Sequence, residues 1–138
     1  MKKITSLLLL IFVASVSLTS CHKNKPAQPK NEKWLFEKFI TEHYDTSDNL
    51  TDTDPPQEKF TVNDYLLLQP DEKFELSIKI EGKDTGTYKL GTTTLTLTYT
   101  AGKVESYKVV EKTATKFVIY QEKPELTGKS RLIYYLKK

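Results

Sequence analysis

The chain has 138 residues, a formal net charge of +3 and a pI near 8.8, with 28% of side chains charged and 11% aromatic. The charge is uneven: residues 22–33 carry Lys23, Lys25, Lys30 and Lys33 against Glu32, while residues 34–138 hold 15 basic and 17 acidic side chains. The basic excess therefore belongs to the N-terminal part, Arg131 is the lone arginine, and a nucleic-acid-binding class, which needs clustered Lys and Arg interleaved with aromatics, is excluded.

Lys2 and Lys3 open a stretch, Ile4 to Leu18, that is apolar apart from small hydroxyl residues. Residues 1–20 read as a secretory signal peptide, too short between its flanks for a spanning helix. The stretch closes on Leu18-Thr19-Ser20-Cys21, which resembles the lipobox of bacterial lipoproteins. That resemblance implies cleavage before Cys21 and acylation of it; each buried methylene adds about 0.8 kcal/mol, so several chains make a stable membrane anchor. The other reading is an uncleaved anchor followed by an idle thiol. Cys21 is the only cysteine, so once acylated it leaves no thiol for catalysis, disulfide or metal. His22 follows where an aspartate would resemble an inner-membrane retention signal, and no acidic run resembling a surface-export tag follows it. The implied address is the cell envelope, at the outer membrane and facing the periplasm.

Residues 21–33 form the acylated cysteine and a tether. His22 to Lys33 is polar, with two prolines, and cannot bury enough apolar surface to order itself. The predicted domain covers residues 34–138. Its first strand, Trp34 to Tyr44, breaks phase: Trp34, Phe36 and Ile40 fit one face, Leu35 and Phe39 the other. A bulge near Lys38 reconciles them, and so does a short amphipathic helix; the expectation is a strand. Asp45 to Thr61 reads as a long solvated loop. Its acidic spacing invites a calcium reading, but the turn glycine of such a loop is missing.

From Asp64 on, the chain is a meander with expected strands at 64–69, 74–80, 85–90, 94–100, 104–112, 116–122 and 129–137. The stretch from Phe74 to Thr100 shows the period most clearly. Phe74, Leu76, Ile78 and Ile80 alternate with Glu75, Ser77, Lys79 and Glu81, and Leu95, Leu97 and Tyr99 alternate with threonines 94, 96, 98 and 100. Side chains on a strand point alternately to opposite faces, so each strand has a dry side and a wet side. Eight such strands with short, sequential connections predict an all-β fold: a small eight-stranded up-and-down antiparallel barrel. Two stacked sheets are the alternative. A membrane barrel is excluded, because Glu75, Ser77, Lys79, Lys89 and the threonine ladder would meet lipid tails.

Several features together resemble the lipocalin-like domain of bacterial lipoproteins, over Trp34 to Leu136. They are the opening Trp34, the long first loop, LLLQPDEKFELSI at Leu66 to Ile78, Gly86-Thr87-Tyr88-Lys89-Leu90 with Leu95-Thr96-Leu97, and the final hairpins from Glu105 to Tyr120. Glu32 stands where lipocalins proper carry a glycine; for their late basic residue that stacks on the tryptophan Lys137 and Arg131 are the candidates, and spacing assigns neither. The resemblance implies a barrel whose interior binds a small apolar ligand.

The residues argue against an enzyme. His22 lies on the tether and His43 at the end of the first strand, where a solvent-exposed rim residue is expected rather than a base. Neither a cofactor motif nor a metal-ligand set is present. If the first strand starts at the closed end, the open end gathers the loops at 45–63, 81–84, 101–103 and 123–128. Tyr44, Tyr65, Ile80, Tyr99, Tyr107 and Tyr120 are the candidate ligand contacts near it, because tyrosine pairs a flat apolar body with a hydroxyl. The alternative is that these rings fill the core or lie outside as cross-strand pairs. Two functions follow: a membrane-anchored module binding a small apolar or amphipathic ligand, or a protein-interaction or inhibitor module of the envelope with a filled barrel.

Overall fold

The computed structural model describes residues 30–57, 59–79 and 82–138. The expected signal peptide, Cys21, the expected tether as far as residue 29, and Ile80 lie outside the described residues. Among the described residues nine strands run β1 Glu32–Tyr44, β2 Leu50–Thr53, β3 Tyr65–Leu68, β4 Lys73–Ile78, β5 Gly82–Leu90, β6 Thr94–Tyr99, β7 Val104–Lys112, β8 Lys116–Glu125 and β9 Gly128–Lys137. No helix occurs among the described residues. All but β2 form a closed, antiparallel, up-and-down barrel, sealed where β1 pairs with β9.

Strand β1 carries the closure. One edge pairs with β9 from Leu35 to Tyr44; the other pairs with β3 from Glu32 to Leu35. Between Phe36 and Lys38 the register shifts, so the phase break is a bulge and the helical alternative falls. The extra residue turns Phe39 to the inner side with Phe36, while Ile40 moves outward, away from the Trp34–Phe36 phase.

The long loop is more ordered than a solvated loop predicts. β2 pairs with the end of β1, Asp54 N–H donates to the Thr41 carbonyl (2.8 Å), and Gln57 and Phe39 exchange backbone hydrogen bonds (2.9 and 3.1 Å). The reason is geometric. β3 and β4 have four and six residues beside a β1 of thirteen, so the upper edge of β1 would otherwise be unpaired. Phe60 of this strap stacks at 5.2 Å from Phe36 and 6.0 Å from Phe39. All four side chains of β2 remain exposed.

The core fills the closed end. Trp34 and Phe117 pack at 5.3 Å, among Leu66, Leu68, Phe74, Leu95, Leu97 and Leu136, none more than 2% exposed. At Gly86 any Cβ would strike the Thr98 carbonyl and lie 2.8 Å from the Phe74 ring, so this glycine lets β5 and β6 approach beneath that ring. Leu95, Leu97 and Tyr99 are buried, and the threonines between them face outward.

Trp34 is capped in a way the sequence reading did not assign. Its Nε1–H donates to Glu32 (3.3 Å), Lys138 and Lys112 sit 4.5 and 5.5 Å from its ring, and Lys112 pairs with Glu32 at 2.9 Å. Neither earlier candidate serves. Lys137 pairs with Glu37 (3.0 Å), and Arg131 stacks on Tyr44 at the other end.

Asp64 ties the strap to the barrel. Its carboxylate is 2% exposed and accepts from Thr61 N–H (2.6 Å), the Thr61 hydroxyl (2.8 Å) and Lys79 N–H (2.6 Å). Burial pushes its pKa up, but the Lys79 and Thr61 donors outweigh that and hold it below the ordinary value. Asp64→Asn leaves those donors short of an acceptor and is expected to cost about 1–3 kcal/mol at neutral pH, read from the urea midpoint. A lowered folded-state pKa makes the carboxylate's contribution present above its unfolded pKa of about 3.9 and lost as pH falls through the folded value. Asp64→Asn should therefore unfold with a shallower acid dependence than the parent chain.

Candidate functional site

Above the filled end the barrel opens into a cup of about 210 Å³. Its depth is apolar, formed by Phe36, Leu66, Leu76, Leu97 and Ile119, with Ile78 and Tyr134 on the walls. Its lip is polar: Asp84 from β5, Lys103 from the β6–β7 turn, Glu105 from β7, and Gln121 and Lys123 from β8. The change follows strand alternation. On β8 the inward positions run Phe117, Ile119, Gln121, Lys123, passing from apolar to polar as the strand reaches the open end.

Glu105 organises the lip. Its Oε2 accepts the hydroxyls of Tyr99 and Tyr107, each at 2.6 Å, and its Oε1 faces Lys103 Nζ at 2.7 Å. Burial pushes the Glu105 carboxyl up, but Lys103 and the two phenols outweigh it and keep its pKa below the ordinary range. Burial, then the bond to Glu105, pushes both phenols well above their usual value, so each keeps its proton and stays a donor. Phe74 braces Tyr99 edge-on at 5.2 Å. The cluster is a carboxylate fixed by three donors at the mouth of a cavity with an apolar floor and a largely polar exposed lining.

Of the candidate contacts, the structure brings together Tyr99 and Tyr107. Tyr44, Tyr65 and Tyr120 lie on the outer surface. Arg131 lies 4.3 Å from the Tyr44 ring centre and 5.2 Å from that of Tyr120, and Tyr44 donates to Glu42 (2.6 Å). Tyr65 donates to Glu75 under the ammonium of Lys33. The sequence reading missed Glu105, Lys103, Asp84, Gln121 and Lys123. One signal was present: Glu105 shares the odd-numbered phase of Tyr107 and Val109, so a charge stands where the inner face of β7 runs.

His43 is not simply a solvent-exposed rim residue. Its Nδ1 lies 3.3 Å from Glu125 of β8 and its Nε2 3.6 Å from Asp54 of the strap, with the side chain 31% exposed. Among the described residues, no group of three His, Cys, Asp or Glu side chains is placed to hold a metal ion. No family model, curated protein or solved structure matches the chain.

The bond to Glu125 comes first in raising the His43 pKa, with the charges of Glu125 and Asp54 adding to it against partial desolvation. In an NMR titration His43 should therefore titrate above the ordinary value of about 6.5, and Glu125→Gln should lower that midpoint more than Asp54→Asn does. A raised folded-state pKa places the His43 contribution below the unfolded value, to be lost as pH rises through the folded one. The protection factors of the backbone amides of residues 52–57, which correct for the intrinsic pH dependence of exchange, should accordingly fall over that rise.

Proposed function

We propose that this chain is a non-catalytic binding module, anchored to the outer membrane through acylated Cys21, whose cup takes a small apolar or amphipathic ligand from the periplasm. The observation that carries the reading is the cup: an apolar depth under a lip where Tyr99, Tyr107 and Lys103 converge on Glu105. Ligand sites pair apolar surface with placed polar groups that orient the ligand, and in this cup the polar groups make up most of the exposed lining. The open upper half weighs against a filled barrel acting only through its surface. Exposed Leu50, Val62, Val104, Val110 and Leu126 belong to the strap, β2, β7 and the β8–β9 turn, and single exposed apolar residues are ordinary.

The anchor supports the same reading from the sequence side. A binding module held at a membrane by several acyl chains works on ligands that reach that surface.

Native mass spectrometry of the chain purified from its own host should show a small co-purifying mass. Gln121→Trp, which plugs the lip from a half-buried position, should lose it, and Tyr65→Phe on the outer face should keep it. Reproducible absence of any such mass from the parent chain would sink the binding reading. Cys21→Ser should abolish labelling by radioactive palmitate and move the chain from the membrane fraction to the soluble one.

A further inference from the structure

We infer that the cup selects a compact amphiphile of about eight to ten non-hydrogen atoms whose polar head donates hydrogen bonds, a hydroxyl or an amine, over a carboxylate of the same size. The inference rests on the binding reading above and names its ligand class. Size comes from the volume. A dry cavity of about 150 Å³ accepts benzene, and the cup measures about 210 Å³. Below it Trp34, Phe74 and Phe117 are at most 2% exposed, so a long chain finds no depth to enter.

The head group follows from which valences the lip has spent. Tyr99 and Tyr107 each own one O–H and both give it to Glu105 Oε2, so toward any further partner their oxygens act as acceptors. Glu105 Oε1 takes Lys103 and keeps a second lone pair. Asp84 adds another carboxylate to the same lip. A ligand hydroxyl or ammonium finds acceptors there. A ligand carboxylate meets two like charges, with Lys103 already bound to one of them, and has Lys123 as its one other cation on the lip.

The test uses the full chain in lipid nanodiscs and four probes: 4-methylphenol, 4-methylbenzylamine, 4-methylbenzoate and decanoate. Binding is read from amide chemical shifts of Leu97, Tyr99, Glu105, Tyr107 and Ile119. The phenol and the amine are expected to shift these amides at concentrations at least about ten-fold lower than the benzoate, a difference of about 1.4 kcal/mol. Decanoate should leave them in place. Glu105→Gln should erase the preference for the amine. Should that variant fail to fold, Asp84→Asn, at an exposed position, should weaken amine binding about three-fold and phenol binding by less. Equal or tighter binding of the benzoate or of decanoate overturns the head-group and size assignment while leaving a binding cup in place. Silence from all four probes overturns both.

Discussion

Strand β1 is hydrogen-bonded along both edges, and the closed barrel depends on that double pairing. Its partner on one side is β9, the last strand of the chain; on the other it is β3 at one end and β2 at the other. Without the β1–β9 ladder the same strands would form an open sheet with two exposed edges, the arrangement that invites intermolecular pairing. The bulge beyond Phe36 lets this one strand serve both halves of the barrel. It places Trp34 in the filled end, and then Phe36 and Phe39 beside Phe60 and Tyr134 higher up.

The two ends of the cylinder use similar groups to different effect. At the closed end Glu32, Lys112 and Lys138 gather over Trp34, and the large ring beneath them leaves no room. At the open end Glu105, Lys103, Tyr99 and Tyr107 gather over empty space. A carboxylate drawn out of water is costly unless donors meet it. Three donors meet Glu105, and the arrangement holds its two oxygens at the cavity wall. Asp64 solves the same problem for a structural purpose, since its donors belong to Thr61 and Lys79 and it fastens the strap.

How far the site could be read in advance varied residue by residue. Tyr65 is out of step with Leu66 and Leu68, and Tyr120 with Phe117 and Ile119, so their outward aspect was written in the alternation. They became candidates through residue type and nearness to the open end, and phase was the better guide. Glu105 is the converse case, a charge in step with inward neighbours. For Tyr44 phase alone was insufficient, because its face depends on the bulge seven residues earlier. The partners of Trp34 were beyond reach as well. Lys112 arrives from the end of β7 and Lys138 from just past β9, and sequence distance does not say which of several late lysines ends over the ring.

By itself the sequence determined that the chain is all-β, where most strands begin and end, and that a dry face and a wet face alternate along them. Those properties are local, because a period of two residues is set by backbone geometry at each step. The tertiary structure alone decided that β1 and β9 meet, that the loop after β1 becomes a strap with its own strand, and that two tyrosines and a lysine converge on one carboxylate. Those outcomes depend on ring closure, which joins residues far apart in the chain and fixes which inward side chains stand at the same height.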